Sequence, residues 1–207
     1  MNDETSTVAQ TLADLIGSRL CHDLVNPLGA IGNGVELIDM TGSVRGPEMD
    51  LIRDAVHDAQ ARLRFLRVAF GAAGPQQVIS AREARAVAHA PWQNGRLRLD
   101  WTAQVDLPRA RVKLGYLMML CAETALPMGG DVRLSLDAVG QWQLEASGPR
   151  LALEDRLWSV LQFGMAAAGR PLRPSEAQFA ALQACSVPLD LTLNYVARDD
   201  VLFMATA

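Results

Sequence analysis

Cysteine and histidine are scarce, which limits the metal and redox chemistry open to this chain. The 207 residues include three cysteines and three histidines. The cysteines are Cys21, Cys121 and Cys185. They lie far apart with no Cys-x-x-Cys pair, which argues against a zinc site and against a disulfide framework. We expect no metal site, and we expect each cysteine to be a small core residue.

An excess of positive charge and a long apolar run are also missing. Nineteen Lys and Arg residues against 23 Asp and Glu give a net charge of −4, which argues against a nucleic-acid partner held through phosphates. No apolar run reaches the roughly 18 residues that a membrane helix requires. The longest candidate covers residues 114–122, and we expect it in the core. Residues 1–6 are polar and acidic rather than typical of a secretory signal, so we expect a cytoplasmic protein with no membrane association.

The first third of the sequence has the apolar periodicity of two helices. From Thr7 to Met40 apolar residues recur every three or four positions, and a second, heptad-like series runs from Met49 to Phe70. Residues 41–46 contain glycines and a serine, and Pro47 suits the first position of a helix. The pattern predicts an antiparallel helical hairpin. Because one hairpin cannot cover its own apolar seam, we expect a homodimer that forms a four-helix bundle.

After the glycine-rich and proline-containing segment 71–77, the pattern changes to short alternating stretches, and we place a domain boundary there. The predicted domains cover residues 1–73 and 74–207. The predicted strands are 77–80, 96–104, 131–139, 141–147, 189–196 and 201–206, and the predicted helices are 82–90, 108–126, 154–164 and 174–185. This order predicts an α+β fold with an antiparallel sheet covered by helices on one face.

His22 lies on the face of the first helix opposite its apolar seam, roughly 160° away at 100° per residue. We therefore expect the imidazole to face solvent. Ser18, Asn26 and Gly29 share that face, so a partner could approach the ring closely.

The heptapeptide His22-Asp23-Leu24-Val25-Asn26-Pro27-Leu28 resembles the phosphoacceptor box of histidine kinases. The resemblance implies that His22 carries a phosphoryl group. A neutral imidazole is a good nucleophile, and the Asp23 carboxylate can hold the proton of the other ring nitrogen. Asn26, one turn along, can hydrogen-bond near the phosphoryl oxygens. We regard His22, Asp23 and Asn26 as the candidate catalytic residues.

The nucleotide-binding features of such kinases are degenerate here. Residues 113–130 resemble the kinase helix that leads into a Pro-x-Gly-Gly turn, but Leu117 and Cys121 replace the expected asparagines. In the segment 145–150, Ala146 replaces the adenine-binding aspartate and Arg150 replaces a glycine. Because a phosphate cradle needs the backbone freedom of glycine, ATP binding is not expected.

Together, the box and the degenerate second domain resemble the ChpT-type histidine phosphotransferases of alphaproteobacteria. The resemblance implies a histidine-kinase ATPase-like α/β sandwich as the second domain. It also implies that His22 shuttles a phosphoryl group between the aspartates of response-regulator receiver domains. No cofactor of its own is expected, because Mg²⁺ would belong to the partner receiver domain.

Several residues near His22 are candidate partner contacts. Antiparallel pairing of the helices places Arg62 and Arg64 at the level of His22, where they could meet phosphate or acidic groups. Arg19, Ser18 and Gly29 on the first helix belong to the same candidate set. Phe65 lies off the apolar seam, so its ring either docks a partner or packs against the second domain, the latter being favoured.

Two alternative functions remain open on sequence grounds. One is an ATP-dependent histidine kinase with an atypical nucleotide site. The other is a dimeric scaffold that binds receiver domains without transferring phosphate.

Overall fold

The computed structural model describes the backbone of residues 2–41, 47–93 and 95–207, and their side chains except at positions 2–9, 26, 39, 41 and 48. The helices are α1 (Asn2–Thr41), α2 (Pro47–Ala69), α3 (Ala81–His89), α4 (Arg109–Ala125), α5 (Asp155–Phe163) and α6 (Ala177–Ser186). The strands are β1 (Val78–Ile79), β2 (Leu97–Trp101), β3 (Leu107–Pro108), β4 (Gly130–Leu136), β5 (Trp142–Ser147), β6 (Leu193–Arg198) and β7 (Val201–Thr206).

The helices α1 and α2 pack against each other, and both also reach the rest of the chain. α1 contacts α6, and α2 contacts α3 and α4. Pro27 lies inside α1, which is helical on both sides of it. The turn predicted at 41–46 falls on residues 42–46, which lie outside the described part of the chain.

A five-stranded sheet in the order β2-β4-β5-β7-β6 forms the centre of the C-terminal half. The strand pairs β4–β5, β5–β7 and β6–β7 are antiparallel, as predicted. The prediction of a wholly antiparallel sheet is wrong at one edge, because β2 runs parallel to β4. A parallel pair needs a long crossover connection, and here α4 supplies it.

One face of the sheet is buried under helices and the other is exposed. Along β5, Trp142, Leu144 and Ala146 are buried, whereas Glu145 is exposed, as the two-residue period of a strand requires. On the exposed face Arg98 pairs with Asp131 at 2.6 Å. The prediction that helices cover one face is confirmed by this alternation.

The buried face of the sheet packs against α4, in which every residue from Leu114 to Ala122 is buried. A helix that is apolar on all sides belongs in the interior, so the prediction of a core segment at 114–122 is confirmed. A row of rings extends the core across the molecule. Its members are Trp92, Phe65, Tyr116, Trp101 and Trp142, and neighbouring ring centroids lie 4.5–5.5 Å apart.

Some element boundaries differ from the sequence-based expectations. The sixth strand begins at Leu193 rather than Leu189, because Val187–Leu189 forms a 3-10 turn that ends at Asp190, whose φ is 52°. The predicted strand 77–80 is present as β1, but its pairing with the short strand β3 was not anticipated. Cys21 is exposed, so its predicted place in the core is wrong, whereas Cys121 is buried as expected. None of the described helices is long and apolar enough to span a bilayer.

Candidate functional site

The helix α1 presents His22 to solvent. The His22 side chain is 73% exposed, so the prediction from helical periodicity is confirmed. Ser18 and Gly29 are exposed as well, one turn before His22 and two turns after it. The backbone of Asn26 continues α1, but its side chain lies outside the described residues, so its role stays a prediction.

The carboxylate of Asp23 faces the imidazole of His22. His22 Nδ1 lies 3.4 Å from Asp23 Oδ1. Because a carboxylate only accepts hydrogen bonds, this contact is attractive when Nδ1 carries the ring proton. The lone pair then resides on Nε2, the nitrogen that does not face Asp23, and this tautomer is ready to act as a nucleophile there.

Two arginines hold the other oxygen of the same carboxylate. Arg19 Nε donates to Asp23 Oδ2 at 2.9 Å, and Arg62 approaches this oxygen to 3.3 Å. The Asp23 side chain is only 10% exposed, so the three charges interact with little intervening water. The two guanidinium groups occupy Oδ2 and leave Oδ1 directed at His22.

The end of α4 supports Arg62 through a single carboxylate, that of Glu123. Glu123 Oε2 lies 3.4 Å from an Arg62 amino group, and Glu123 Oε1 accepts a hydrogen bond from the Trp92 indole at 3.1 Å. The Arg62 guanidinium also lies over the Trp92 ring, 5.7 Å from its centroid. Arg62 is therefore held between α1 and α4, and its side chain is 20% exposed.

Arg19 is supported, through Gln178, by Thr124, the residue after Glu123. Arg19 donates to the carbonyl of Ser175 at 2.8 Å and lies 3.4 Å from the Gln178 side-chain oxygen. Gln178 in turn donates to Thr124 Oγ1 at 2.8 Å. Adjacent residues of α4 thus reach the Asp23 carboxylate by two separate routes.

Two of the predicted partner contacts are corrected by these positions. The Phe65 ring is fully buried, stacked on Tyr116 at 4.5 Å and edge-on to Trp92 at 4.8 Å. The favoured expectation that it packs against the second domain is confirmed, and the alternative of a partner contact is wrong. The Arg19 guanidinium is buried and already engaged by Asp23 and Ser175, so it is not free for a partner either.

The remaining two candidates on α2 differ in exposure. Arg64 is exposed, so its partner contact stays a prediction. Arg62 lies at the level of His22, as predicted, but its described contacts are internal.

Glu123, Gln178 and Trp92 belong to the site but were not anticipated. Their positions in the sequence follow no local pattern that points to His22, since 61 residues separate Arg62 from Glu123 and 159 separate Arg19 from Gln178. Only the folded chain brings them together.

The positions at which the sequence resemblance to kinases would place nucleotide-binding residues are apolar and buried. Leu117, Cys121 and Ala146 are fully buried, and burial raises the pKa of the Cys121 thiol well above its usual value. Neither a leucine nor a buried neutral thiol is a ligand that Mg²⁺ prefers. Among the described residues, no cluster of three or more histidine, cysteine or acidic side chains is arranged to hold a metal ion.

The sequence and the fold are similar to those of known phosphotransferases. Residues 81–201 match the family model of the histidine phosphotransferase C-terminal domain. The protein phosphotransferase ChpT of Brucella abortus (strain 2308) is 40% identical over 131 residues, an alignment that spans 62% of this chain and 62% of that relative.

A solved structure described as a bacterial phosphotransferase superimposes with a TM-score of 0.79 at 28% identity, covering 96% of this chain and 97% of the other. The structural similarity extends to the part of the chain that contains His22, beyond the family model's limits. The match over residues 81–201 comprises more than half of the chain, which therefore belongs to the histidine phosphotransferase family.

Proposed function

We propose that this protein is a phosphorelay histidine phosphotransferase that carries a phosphoryl group on His22 between receiver-domain aspartates. The observation that carries the proposal is the exposed imidazole of His22 with its Nδ1 facing the Asp23 carboxylate. Membership of the histidine phosphotransferase family supports the same chemistry. Asp23 acts as the group that orients the ring and faces the charge that develops on it.

In the proposed reaction, the Nε2 lone pair of His22 attacks the phosphorus of the receiver's acyl phosphate. The N–P bond forms while the P–O bond to the receiver aspartate breaks, and the electron pair returns to that carboxylate. The Nδ1 proton stays on the ring, so the ring becomes cationic and the facing carboxylate of Asp23 stabilises it. The reverse sequence delivers the group to a second receiver, and Mg²⁺ is bound by the receiver in both steps.

We further propose that the chain works without ATP. The buried apolar side chains of Leu117, Cys121 and Ala146 support this proposal, because they lie where the kinase resemblance calls for polar nucleotide or metal contacts. An ATP-dependent kinase would need a different set of polar groups to take their place.

The α1–α2 pair is proposed to be an antiparallel hairpin whose exposed apolar side chains are covered by a second copy. Asp23 and Arg62 lie at one level, while Ala30 and Leu51 line a cleft farther along both helices, as opposite chain directions require. Exposed apolar residues on the two helices are Val25, Leu28, Val35, Leu37, Met40, Leu51 and Leu63. A four-helix bundle formed by two copies would bury them, and we expect the dimer in the cytoplasm with its receiver partners.

The test of the function is phosphoryl transfer from a phosphorylated receiver domain in the absence of nucleotide. Wild-type protein should acquire an acid-labile label and pass it to a second receiver, whereas His22→Gln should acquire none. Label that arrives from ATP alone would identify a kinase. Receiver binding without label would favour the scaffold function.

The dimer is tested separately by the mass in solution. Light scattering of the eluting protein should give twice the 22.4 kDa of the chain. A mass of one chain at micromolar concentration contradicts the bundle without affecting the phosphotransfer proposal.

A further inference from the structure

We infer that Arg62 and Glu123 are positioning residues of the phosphoacceptor site: through Asp23 they determine which nitrogen of His22 is the nucleophile. This inference rests on the proposed phosphotransfer function and deepens it. It replaces the expectation that Arg62 contacts the partner, because the described contacts of its guanidinium are with Asp23, Glu123 and the Trp92 ring.

The two oxygens of the Asp23 carboxylate have different partners. Oδ2 receives Arg19 at 2.9 Å and Arg62 at 3.3 Å, whereas Oδ1 lies 3.4 Å from His22 Nδ1. A carboxylate with both cations on one oxygen is fixed in rotation about its Cβ–Cγ bond. Oδ1 of Asp23 is thereby kept facing Nδ1 of His22.

The contact with Asp23 Oδ1 determines the tautomer of the His22 ring. An Nδ1–H donor directed at Oδ1 is favoured, and an Nδ1 lone pair directed at the same oxygen is repelled. The proton is thus kept on Nδ1 and the nucleophilic lone pair on Nε2. If the carboxylate turns or draws away, the proton can move to Nε2, and the outer nitrogen then has no lone pair with which to attack phosphorus.

Arg62 is in turn positioned by Glu123 and Trp92. Its guanidinium could pair with Asp23 in several geometries, but the contacts with Glu123 Oε2 at 3.4 Å and with the Trp92 ring at 5.7 Å restrict them. Glu123 is in turn oriented by the Trp92 indole, which donates to Oε1 at 3.1 Å. Trp92 and Glu123 thus orient Arg62, Arg62 orients Asp23, and Asp23 orients His22. Of these residues only His22 meets the phosphoryl group.

The tautomer of His22 provides a readout that does not depend on activity. In ¹⁵N-labelled full-length protein, two-bond ¹H–¹⁵N correlations distinguish the Nδ1–H and Nε2–H tautomers of the imidazole for each of the three histidines. The signal of His22 is identified by its loss in His22→Gln. We expect the Nδ1–H form in wild type and a shift toward Nε2–H in Arg62→Gln.

The same variants are compared in receiver-to-histidine transfer at saturating receiver. Arg62→Gln should slow the transfer by about tenfold, the lower end of the roughly 10–100-fold losses seen when a group that orients a metal ligand is removed, with little change in the half-saturating receiver concentration. Arg62→Lys should lie between wild type and Arg62→Gln, because an ammonium group keeps the charge but lacks the planar, rigid fork of donors that the guanidinium presents to the two carboxylates. Glu123→Gln should change the tautomer and the rate in the same direction as Arg62→Gln, but less.

The matched control is Arg67→Gln, the same substitution at an exposed position of α2. It should leave the tautomer unchanged. If Arg62→Gln fails to fold, the comparison of Glu123→Gln with wild type still decides the question, because Glu123 is more exposed and the amide retains an oxygen for Trp92.

An unchanged tautomer in both Arg62→Gln and Glu123→Gln overturns the inference. A rise in the half-saturating receiver concentration with no change in the rate at saturating receiver also overturns it. Such a result identifies Arg62 as a partner contact. If wild type accepts no phosphoryl group from any receiver, the proposed function fails, while the tautomer shift still tests the positioning by itself.

Discussion

Replacing Phe65 with alanine should destabilise the protein strongly, although the preceding residue of α2, Arg64, is exposed. Its ring is fully buried, 4.5 Å from Tyr116 in a parallel stack and 4.8 Å from Trp92 in an edge-on contact. Phe65 therefore joins α2 to the core around α4. The substitution leaves a cavity between rings that belong to a continuous row and have little freedom to close it.

The expected loss is about 3–5 kcal/mol of unfolding free energy, the range for deleting a buried phenylalanine side chain. Phe65→Leu retains most of the apolar volume but loses the two ring contacts, and it should cost about 1–2 kcal/mol. Urea unfolding followed by tryptophan fluorescence measures both values. All variants are compared at one protein concentration, because a dimer's apparent stability depends on it.

Phe163→Ala is the matched control, because the Phe163 side chain is 74% exposed. It should change the stability by less than about 0.5 kcal/mol. A loss below about 1 kcal/mol in Phe65→Ala would refute the reasoning, since it would mean that α2 is not anchored in the core through this ring.

Two further predictions concern charge and accessibility. Burial alone would raise the pKa of Glu176, but hydrogen bonds from Arg156 and Arg173 hold the pKa of this carboxyl at about 2. The pKa of Glu176 is lower in the folded protein than its ordinary value of 4.5. The ionised carboxylate therefore stabilises the fold fully above pH 4.5, and this stabilisation is lost as the pH falls toward 2. Glu176→Gln should therefore lower the unfolding free energy by about 2 kcal/mol at neutral pH. The urea midpoints of the variant and of wild type should converge in acid, and a difference between them that is independent of pH would contradict this. Thiol labelling of native protein should modify Cys21 rapidly and Cys121 only on unfolding, and equal rates at the two positions would show that Cys121 is not buried.

The elements that could be predicted from the sequence are those set by local periodicity. Apolar residues repeat every two residues in a strand and every three or four in a helix, and these repeats depend only on near neighbours along the chain. They predict the two long helices, the hairpin β4–β5, the last strand and the buried helix α4. The exposed position of His22 on α1 is of the same kind, because its angular separation from the apolar seam is a property of the helix alone.

Other features could not be predicted, since they depend on how the elements are arranged in space. The parallel pairing of β2 with β4 requires that α4 cross over the sheet, and a strand's own sequence does not record its direction relative to a neighbour. Phe65 was identified as an unusual residue because it lies off its seam, but only the rings of Tyr116 and Trp92 show where it packs.

The amino-acid sequence by itself determined that His22 is an exposed histidine followed by an acid on a long helix, because helix geometry and adjacent residues suffice for that. Only the tertiary structure decided what holds the acid in place. Arg62 is 39 residues from Asp23, and Glu123 is a further 61 residues along the chain. Contacts over such distances exist only once α1, α2 and α4 are packed together, so no local pattern can contain them.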